Sequence, residues 1–293
     1  MLNKILRPGV AVWIGSLLAL IAPAALADWE LNMPRGVTAI TNEVYDLHML
    51  IFWICVVIGV IVFGAMFYSI FFHRRSNHPT PAKFSHSTAA EIIWTTIPIL
   101  ILVAMVFPAA KTLVAIEDSG SPDMTVKVTA SQWKWHYEYL EEGVNFFSTL
   151  AAKSNEARQL GSGIDPATVE NYLLDVDNPL VVPVNTKVRI LLTANDVIHA
   201  WWVPELSGKR DAIPGFVNQL WFKAEKVGTY RGQCAELCGY DHGFMPIVVE
   251  VKDEADYLAW LGERGVENPA QFAQQLKESK SDVTPVAVEA AAR

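Results

Sequence analysis

Residues 47–72 read LHMLIFWICVVIGVIVFGAMFYSIFF and contain no Asp, Glu, Lys or Arg. A charge-free apolar run of this length, folded as a helix, spans the ~30 Å hydrocarbon core of a bilayer. A second apolar run covers residues 92–110 and ends at Lys111. Together the two runs predict a hairpin of two transmembrane helices over residues 46–114, surrounded by the lipid bilayer.

The segment between the two runs predicts the orientation of this hairpin. It contains Arg74, Arg75 and Lys83, and its first acidic residue is Glu91. Short loops rich in Lys and Arg remain in the cytoplasm. Both ends of the hairpin should therefore face the opposite side of the membrane.

The N-terminus is consistent with the same orientation. Residues 1–27 combine two early basic residues, an apolar stretch and the small-residue sequence Ala25-Leu26-Ala27, a pattern typical of a cleavable secretory signal peptide. A retained transmembrane helix is the alternative, although the apolar stretch is short for one. Cleavage would leave residues 28–45 as an extracytoplasmic segment ahead of the hairpin.

The remainder of the chain is polar and has the periodicity of strands. Of the 293 residues 52% are hydrophobic, yet residues 120–293 carry the whole net charge of −8. An acidic surface favours a basic partner, and no nucleic-acid partner is predicted. Short alternating runs, separated by Gly, Pro and Asn, predict a β-sandwich or barrel over residues 120–262.

Three segments stand apart from this strand pattern. Residues 141–178 form an insertion of predicted helical or loop character. Residues 253–264 have an apolar side typical of an amphipathic helix that closes the domain. The C-terminal tail, residues 263–293, is predicted to be partly disordered because its end is small, polar and Ala-rich.

Two of the three cysteines lie among other metal-binding side chains. Residues 234–245 read CAELCGYDHGFM, so Cys234, Cys238, His242 and Met245 fall within one short segment. By cysteine count alone the pair could form a disulfide. Thiol, imidazole and thioether groups are, however, ligands that suit copper. His199, at the end of an apolar strand, is the candidate for a second histidine.

Other metal sites use part of this ligand set. Zinc commonly takes two cysteines and two histidines in a closed tetrahedral site, but the thioether of Met245 is a poor zinc ligand. A mononuclear blue-copper site uses one cysteine and leaves the second unexplained. Two cysteines that bridge two copper ions, with one histidine on each ion, would employ the whole set.

The pattern Cys-x-Glu-x-Cys-Gly-x-x-His-x-x-Met at 234–245 resembles cytochrome c oxidase subunit II, as do Asp-Val-x-His at 196–199 and Asp-Ala-Ile-Pro-Gly at 211–215. The resemblance spans roughly residues 40–262, including the two-helix anchor. It implies a membrane-anchored all-β protein, in which the hairpin precedes a cupredoxin-like β-barrel/sandwich domain on the periplasmic face of a bacterial inner membrane.

In that family the domain holds a binuclear copper A centre. The resemblance implies six ligands: the bridging Cys234 and Cys238, the terminal His199 and His242, the weak thioether of Met245 and the backbone carbonyl of Glu236. It also implies that the side chain of Glu236 helps bind a magnesium ion shared with subunit I. The 141–178 insertion departs from compact members of the family and leaves the docking surface there open.

The family's activity is that of a proton-translocating cytochrome c oxidase. The resemblance implies that this chain takes electrons from cytochrome c and passes them to subunit I, which carries haem and the oxygen-reducing copper; subunit III is a further partner. Trp133 would receive the electrons, and Glu138 and Asp196 resemble docking acids. Glu91 would lie at the mouth of a proton-uptake channel, although a carboxylate also stabilises a helix N-terminus by itself.

Two related families remain as alternatives. A quinol oxidase subunit II shares the anchor and barrel but lacks the metal ligands, and a nitrous oxide reductase has a similar copper motif beside a large second domain. The chain contains no Cys-x-x-Cys-His sequence for attachment of a c-type haem. Its own redox centre is therefore predicted to be copper alone.

Overall fold

A computed structural model describes residues 32–80, 83 and 85–282. The predicted signal peptide and the last part of the tail, residues 283–293, lie outside the described residues. Two long helices come first, α1 (Ala39–Phe72) and α2 (Thr88–Glu117). Both are long and apolar enough to cross a membrane, and their apolar side chains are almost all exposed in the isolated chain. Such exposure is expected where lipid, rather than protein, covers a helix.

Helix α1 begins ahead of its charge-free run because Thr38 caps it. The Thr38 hydroxyl accepts a hydrogen bond from the backbone N–H of Thr41 at 3.1 Å, and the Thr41 hydroxyl accepts one from the N–H of Thr38 at 3.3 Å. This reciprocal pair satisfies two donors that a helix start leaves unpaired. The helix therefore extends outward from the apolar run toward the polar half of the chain.

Both helices are attached to the polar half at the same end of the hairpin. Before α1, the hydroxyl of Thr38 donates to the carbonyl of Leu206 at 3.1 Å. At the end of α2, Arg210 pairs with Glu117 at 2.6 Å, and the Trp221 indole donates to the carbonyl of Ala115 at 3.3 Å. The start of α1 and the end of α2 thus lie on one side, as the topology predicted from the loop charges requires.

The polar half is a β-sandwich, and three α-helices accompany it in the described residues. The strands are β1 (Met124–Ser131), β2 (Lys134–Tyr139), β3 (Asn145–Ser148), β4 (Leu180–Pro183), β5 (Val188–Ala194), β6 (His199–Trp201), β7 (Arg210–Ala212), β8 (Asn218–Phe222), β9 (Gly228–Gln233) and β10 (Pro246–Lys252). A five-stranded sheet has the order β3-β2-β1-β5-β8, a three-stranded sheet has the order β4-β10-β9, and β6 pairs with β7.

The core lies between the two larger sheets and follows the predicted alternation. Trp135, Tyr137 and Tyr139 on β2 are at most 1% exposed, as expected for packed aromatic side chains. The hydroxyl of Tyr139 donates to the carbonyl of Val181 at 2.8 Å and accepts from its N–H at 2.9 Å. This double hydrogen bond joins β2 of one sheet to β4 of the other.

The insertion and the tail contain more regular structure than the sequence indicated. Residues 141–178 hold β3, the helix α3 (Ala152–Ala157) and a single 3-10 turn at Pro166–Thr168. After the closing helix α4 (Glu254–Glu263), a further helix α5 spans Pro269–Asp282. Helix α5 ends at Asp282, and the predicted disorder at the end of the tail falls largely on residues 283–293, outside the described residues.

Helix α4 closes the sandwich and buries a carboxylate at the β2–β3 turn. The hydroxyl of Tyr257 donates to Glu142 at 2.9 Å, while the second carboxylate oxygen is buried without a hydrogen-bond partner. Burial is the largest cause that raises the pKa of Glu142, from 4.5 to about 7; the Tyr257 hydrogen bond opposes it. Because the folded-state pKa is raised, the contribution to stability is full below pH 4.5 and is lost as the pH rises through about 7.

Glu142→Gln should therefore stabilise the chain at alkaline pH, because glutamine keeps an acceptor for Tyr257 and carries no charge. We expect a gain of about 1–2 kcal/mol in the free energy of unfolding near pH 8 and little change near pH 5. Thermal denaturation of the full-length chain at the two pH values measures it. Glu156→Gln, on the exposed side of α3, is the control. Equal effects of Glu142→Gln at both pH values would contradict the assignment.

Candidate metal centre

Three elements of the sandwich bring the predicted ligands to one place. His199 begins β6, Cys234 directly follows β9, and a 3-10 turn at His242–Phe244 follows Cys238. The N–H of Cys234 donates to the carbonyl of Met245 at 3.0 Å, which closes the 234–245 loop on itself. A loop held at both ends by strands can fix side chains that are distant in sequence.

The thiols of the two cysteines lie 3.8 Å apart, and each is close to one imidazole nitrogen. His199 Nδ1 is 3.9 Å from Cys234 Sγ, and His242 Nδ1 is 3.5 Å from Cys238 Sγ. The ligand atoms of His199, Cys234 and Cys238 lie within 4.8 Å of one another, and all three residues are buried. A disulfide needs a sulfur–sulfur distance near 2.05 Å, so the cysteines are free thiols here.

Other ligand groups surround this cluster. The carbonyl oxygen of Glu236 lies 3.4 Å from Cys234 Sγ, and the side chain of Met245 is buried to 2% exposure at the end of the loop. The groups that the site offers to a ligand are sulfur, nitrogen and one carbonyl oxygen. These donors fit a soft or borderline metal ion and are unsuited to a hard cation such as magnesium.

The two thiols influence each other's charge. Burial would raise the pKa of Cys234, but contact with the His199 imidazole and hydrogen bonds to the backbone lower it to about 7. Burial, and then the negative charge of neighbouring Cys234, raise the pKa of Cys238 to about 12. Two thiolates this close repel each other in a buried site unless a cation lies between them.

Asp196 links the cluster to the strand that precedes Trp133. Its carboxylate accepts from His199 Nε2 at 2.9 Å and from the backbone N–H of Gln132 at 2.7 Å. Because Nε2 carries the proton for this bond, the lone pair on Nδ1 faces the thiols, which is the orientation a metal ligand needs. The resemblance suggested docking for Asp196, which stays a prediction; the structure adds these two bonds inside its own domain.

Trp133 lies on the other side of the same loop. Its indole N–H donates to the carbonyl oxygen of Cys238 at 3.2 Å, and the side-chain amide of Gln132 donates to the same oxygen at 2.7 Å. Trp133 is only partly buried, unlike the three aromatic residues that follow it on β2. One hydrogen bond therefore separates a partly exposed ring from the backbone of a cluster cysteine.

The sequence matches two family descriptions that cover most of the chain. Residues 124–252 match "Cytochrome C oxidase subunit II, periplasmic domain", and residues 26–112 match "Cytochrome C oxidase subunit II, transmembrane domain". The chain belongs to the cytochrome c oxidase subunit II family. It is thus a membrane-anchored protein with a cupredoxin-like periplasmic domain, and it is a member of an oxidase complex.

Two relatives agree with this membership in their sequences. A probable cytochrome c oxidase subunit 2 of Rickettsia prowazekii is 40% identical over 80% of this chain and 72% of that protein. Cytochrome c oxidase subunit 2 of Cereibacter sphaeroides is 38% identical over 76% of each chain. The solved periplasmic domain of subunit II from Bradyrhizobium japonicum is 40% identical and covers 49% of this chain and 94% of that chain, with a TM-score of 0.42.

Glu91 is remote from the cluster in this family member. It lies exposed in the first turn of α2, and Ser87 caps that helix. At 1.5 Å per residue, the helix places Glu91 roughly 40 Å from Glu117, where α2 meets the β domain. Any role of Glu91 is therefore at the end of the hairpin where the two helices are connected, far from the metal cluster.

The sequence did not reveal the supporting role of three residues near the metal cluster. Asp196 bonds to His199, Gln132 bonds to the Cys238 carbonyl, and Arg158 bonds to Asp241 next to His242. Asp196 was considered only for docking, and neither Gln132 nor Arg158 was singled out. The partners of Gln132 and Arg158 lie 64 to 106 residues away in the chain. The Asp196–His199 spacing of three residues was visible, and a carboxylate beside a candidate histidine ligand could have indicated a supporting role.

Proposed function

We propose that this chain is the electron-accepting subunit of a cytochrome c oxidase and holds a binuclear copper A centre. Cys234 and Cys238 would hold the ions through their thiolates, and His199 and His242 would each add one imidazole nitrogen. The Met245 thioether and the Glu236 carbonyl complete the set. The main observation behind this proposal is the pair of buried thiols 3.8 Å apart, each with a different imidazole nitrogen close to it. When bound, the copper pair accepts one electron and releases it again.

The arrangement favours copper over zinc. A single zinc ion needs four ligand atoms packed tightly around one point. Here His242 falls outside the trio whose ligand atoms lie within 4.8 Å of one another. An elongated set, with one imidazole beside each sulfur, suits two ions better than one. His199, Cys234 and Cys238 are buried, and Asp196 fixes the His199 ring, so little rearrangement should accompany a change of charge.

In this proposal electrons come from cytochrome c through Trp133 and leave for subunit I, where oxygen is reduced to water and protons are translocated. The indole bond to the Cys238 carbonyl supports this path. The side chain of Glu236 helps hold a magnesium ion shared with subunit I, and Glu91 lies at the mouth of a proton-uptake channel. Subunit III is a further partner. The net charge of −8 suits a basic cytochrome.

The same proposal covers location and processing. The signal peptide of residues 1–27 is removed, residues 28–45 follow it, and the anchor of residues 46–114 lies in the bacterial inner membrane. The copper domain of residues 120–262 and the tail of residues 263–293 face the periplasm. The clustering of Lys and Arg between the two helices supports this orientation.

Copper loading of the full-length chain in detergent tests the function. The chain should bind two copper ions, and paramagnetic resonance of its oxidised form should show one unpaired electron shared by both nuclei. Elemental analysis of samples offered both copper and zinc shows which of the two metals the chain prefers. A single-copper spectrum, preferential zinc binding or no bound metal, as in a quinol oxidase subunit II, would overturn the proposal.

Trp133→Phe should slow electron transfer from reduced cytochrome c at least severalfold in the assembled oxidase. The smaller ring loses the indole bond to Cys238, while Gln132 still holds that carbonyl, so the copper spectrum should persist. Rapid mixing with reduced cytochrome c measures the rate. Trp221→Phe, at the joint with α2, is the control. A parental rate in Trp133→Phe would remove Trp133 from the electron path.

A further inference from the structure

Within the 141–178 insertion, residues 149–177 form a lobe whose two ends are held together. The backbone N–H and the hydroxyl of Thr149 both donate to the carboxylate of Asp177, at 2.7 and 3.0 Å. Within the lobe, the buried hydroxyl of Ser154 on α3 accepts from the N–H of Leu173 at 3.2 Å. Arg158, the first residue after α3, therefore extends from a fixed backbone.

The side chain of Arg158 contacts the 234–245 loop, which carries most of the proposed metal ligands. Its two terminal nitrogens lie 3.1 and 3.3 Å from the two carboxylate oxygens of Asp241, a bidentate pair. Its guanidinium carbon lies 4.2 Å above the centre of the Phe244 ring, and its Nε donates to Asn155 at 2.8 Å. The side chains of Arg158 and Asp241 are each only 20% exposed.

These contacts fall at both ends of the turn that carries a proposed ligand. Asp241 directly precedes His242, and Phe244 directly precedes Met245. A single 3-10 turn forms few hydrogen bonds of its own; here the N–H of Phe244 donates to the carbonyl of Asp241 at 2.9 Å. The position of this turn therefore depends on the contacts that the side chains at its two ends make.

We propose that Arg158 is a positioning residue for the metal centre: through Asp241 and Phe244 it holds the turn that places His242 and Met245. The proposal rests on the copper function stated above and assigns a role to the insertion. Arginine suits the task because its planar group binds both carboxylate oxygens and stacks on a ring at the same time. The half-buried pair is also less screened by salt than a surface pair.

The test uses the full-length chain loaded with copper. Arg158→Gln should release copper to a chelator about tenfold faster, the size of effect typical for residues that support metal ligands. Its copper hyperfine pattern and visible absorption should also change, because His242 and Met245 shift. Arg158→Lys keeps the charge but loses the bidentate bond and the flat stacking face, so its release rate should lie between those of the parent and Arg158→Gln.

Arg264→Gln is the matched control. Arg264 also stacks on aromatic rings, those of Phe146 and Trp260, and also bonds to the end of the insertion, at Asn178. Removing it should leave copper release and the spectrum unchanged. If it alters them as Arg158→Gln does, the effect is a general loss of stability and the proposal is overturned.

A double-substitution cycle checks that Arg158 acts through Asp241. Asp241→Asn alone should have a smaller effect than Arg158→Gln, because Arg158 still stacks on Phe244 in that variant. The double variant should be no worse than Arg158→Gln, because that substitution already removes the pair with Asp241. Additive effects would overturn the proposal. A parental release rate and spectrum in Arg158→Gln would overturn it with the copper centre intact, whereas failure of the parent to bind a copper pair would overturn the proposed function as well.

Discussion

Replacing Cys238 by serine is expected to abolish binding of the copper pair while leaving the fold intact. The Cys238 sulfur lies 3.8 Å from Cys234 Sγ and 3.5 Å from His242 Nδ1, so it is next to both the other thiol and one imidazole. A serine hydroxyl is a hard, protonated donor and cannot replace a bridging thiolate. We expect copper affinity to fall by more than about 100-fold, beyond the effect of altering a supporting residue.

The fold should survive because the rest of the loop does not depend on the sulfur. The Cys238 carbonyl still accepts from Gln132 and Trp133, and the N–H of Cys234 still donates to Met245. Equilibrium dialysis with elemental analysis measures the binding, and far-ultraviolet circular dichroism measures the fold. Cys55→Ser, on the exposed surface of α1, is the matched control. Retention of two ions with a shared electron by Cys238→Ser would contradict a thiolate bridge.

The elements that could be predicted are those whose signal is local in the chain. The charge-free run at 47–72 is sufficient to indicate a transmembrane helix, and the alternation of apolar residues at 124–129 indicates a strand. The segment 234–245 likewise places two thiols, an imidazole and a thioether within one loop. In each case the pattern is complete within a few turns or one strand, so no knowledge of the fold is needed.

Contacts between distant parts of the chain could not be predicted in the same way. His199 joins the cluster from 35 residues away, and the sequence indicated it only as a candidate at the end of an apolar strand, without showing its contact with Cys234. The bond from Gln132 to Cys238 spans 106 residues, and the pair of Arg158 and Asp241 spans 83. Both depend on how the two sheets pack. Strands of three residues, such as β6 and β7, are too short to show a period.

Gly232→Ala is expected to destabilise the domain by about 3 kcal/mol and to weaken metal binding together with it. Gly232 is buried in β9, two residues before Cys234. A Cβ there would overlap the carbonyl oxygen of Trp202 and lie 2.8 Å from the Trp202 carbonyl carbon and 2.9 Å from Val203 Cα. These are backbone atoms, so rotation of a side chain cannot relieve the overlap.

The close approach at Gly232 brings two ligand-bearing segments together. The N–H of Gln233 donates to the carbonyl of Trp202 at 3.2 Å, so β9, which leads to Cys234, lies against the chain just after β6, which carries His199. A methyl group at this crossing would separate the segments that hold His199 and Cys234. Chemical denaturation and copper titration of the same full-length variant should therefore both show a loss.

Gly243→Ala distinguishes this effect from a general intolerance of added methyl groups near the centre. Gly243 lies in the turn between His242 and Phe244, and a Cβ built on it meets nothing within 4 Å. The stability and copper affinity of the Gly243→Ala variant should therefore remain near those of the parent. If Gly243→Ala were as harmful as Gly232→Ala, or if Gly232→Ala were tolerated, backbone contact between β9 and the segment after β6 would not be what holds His199 beside Cys234.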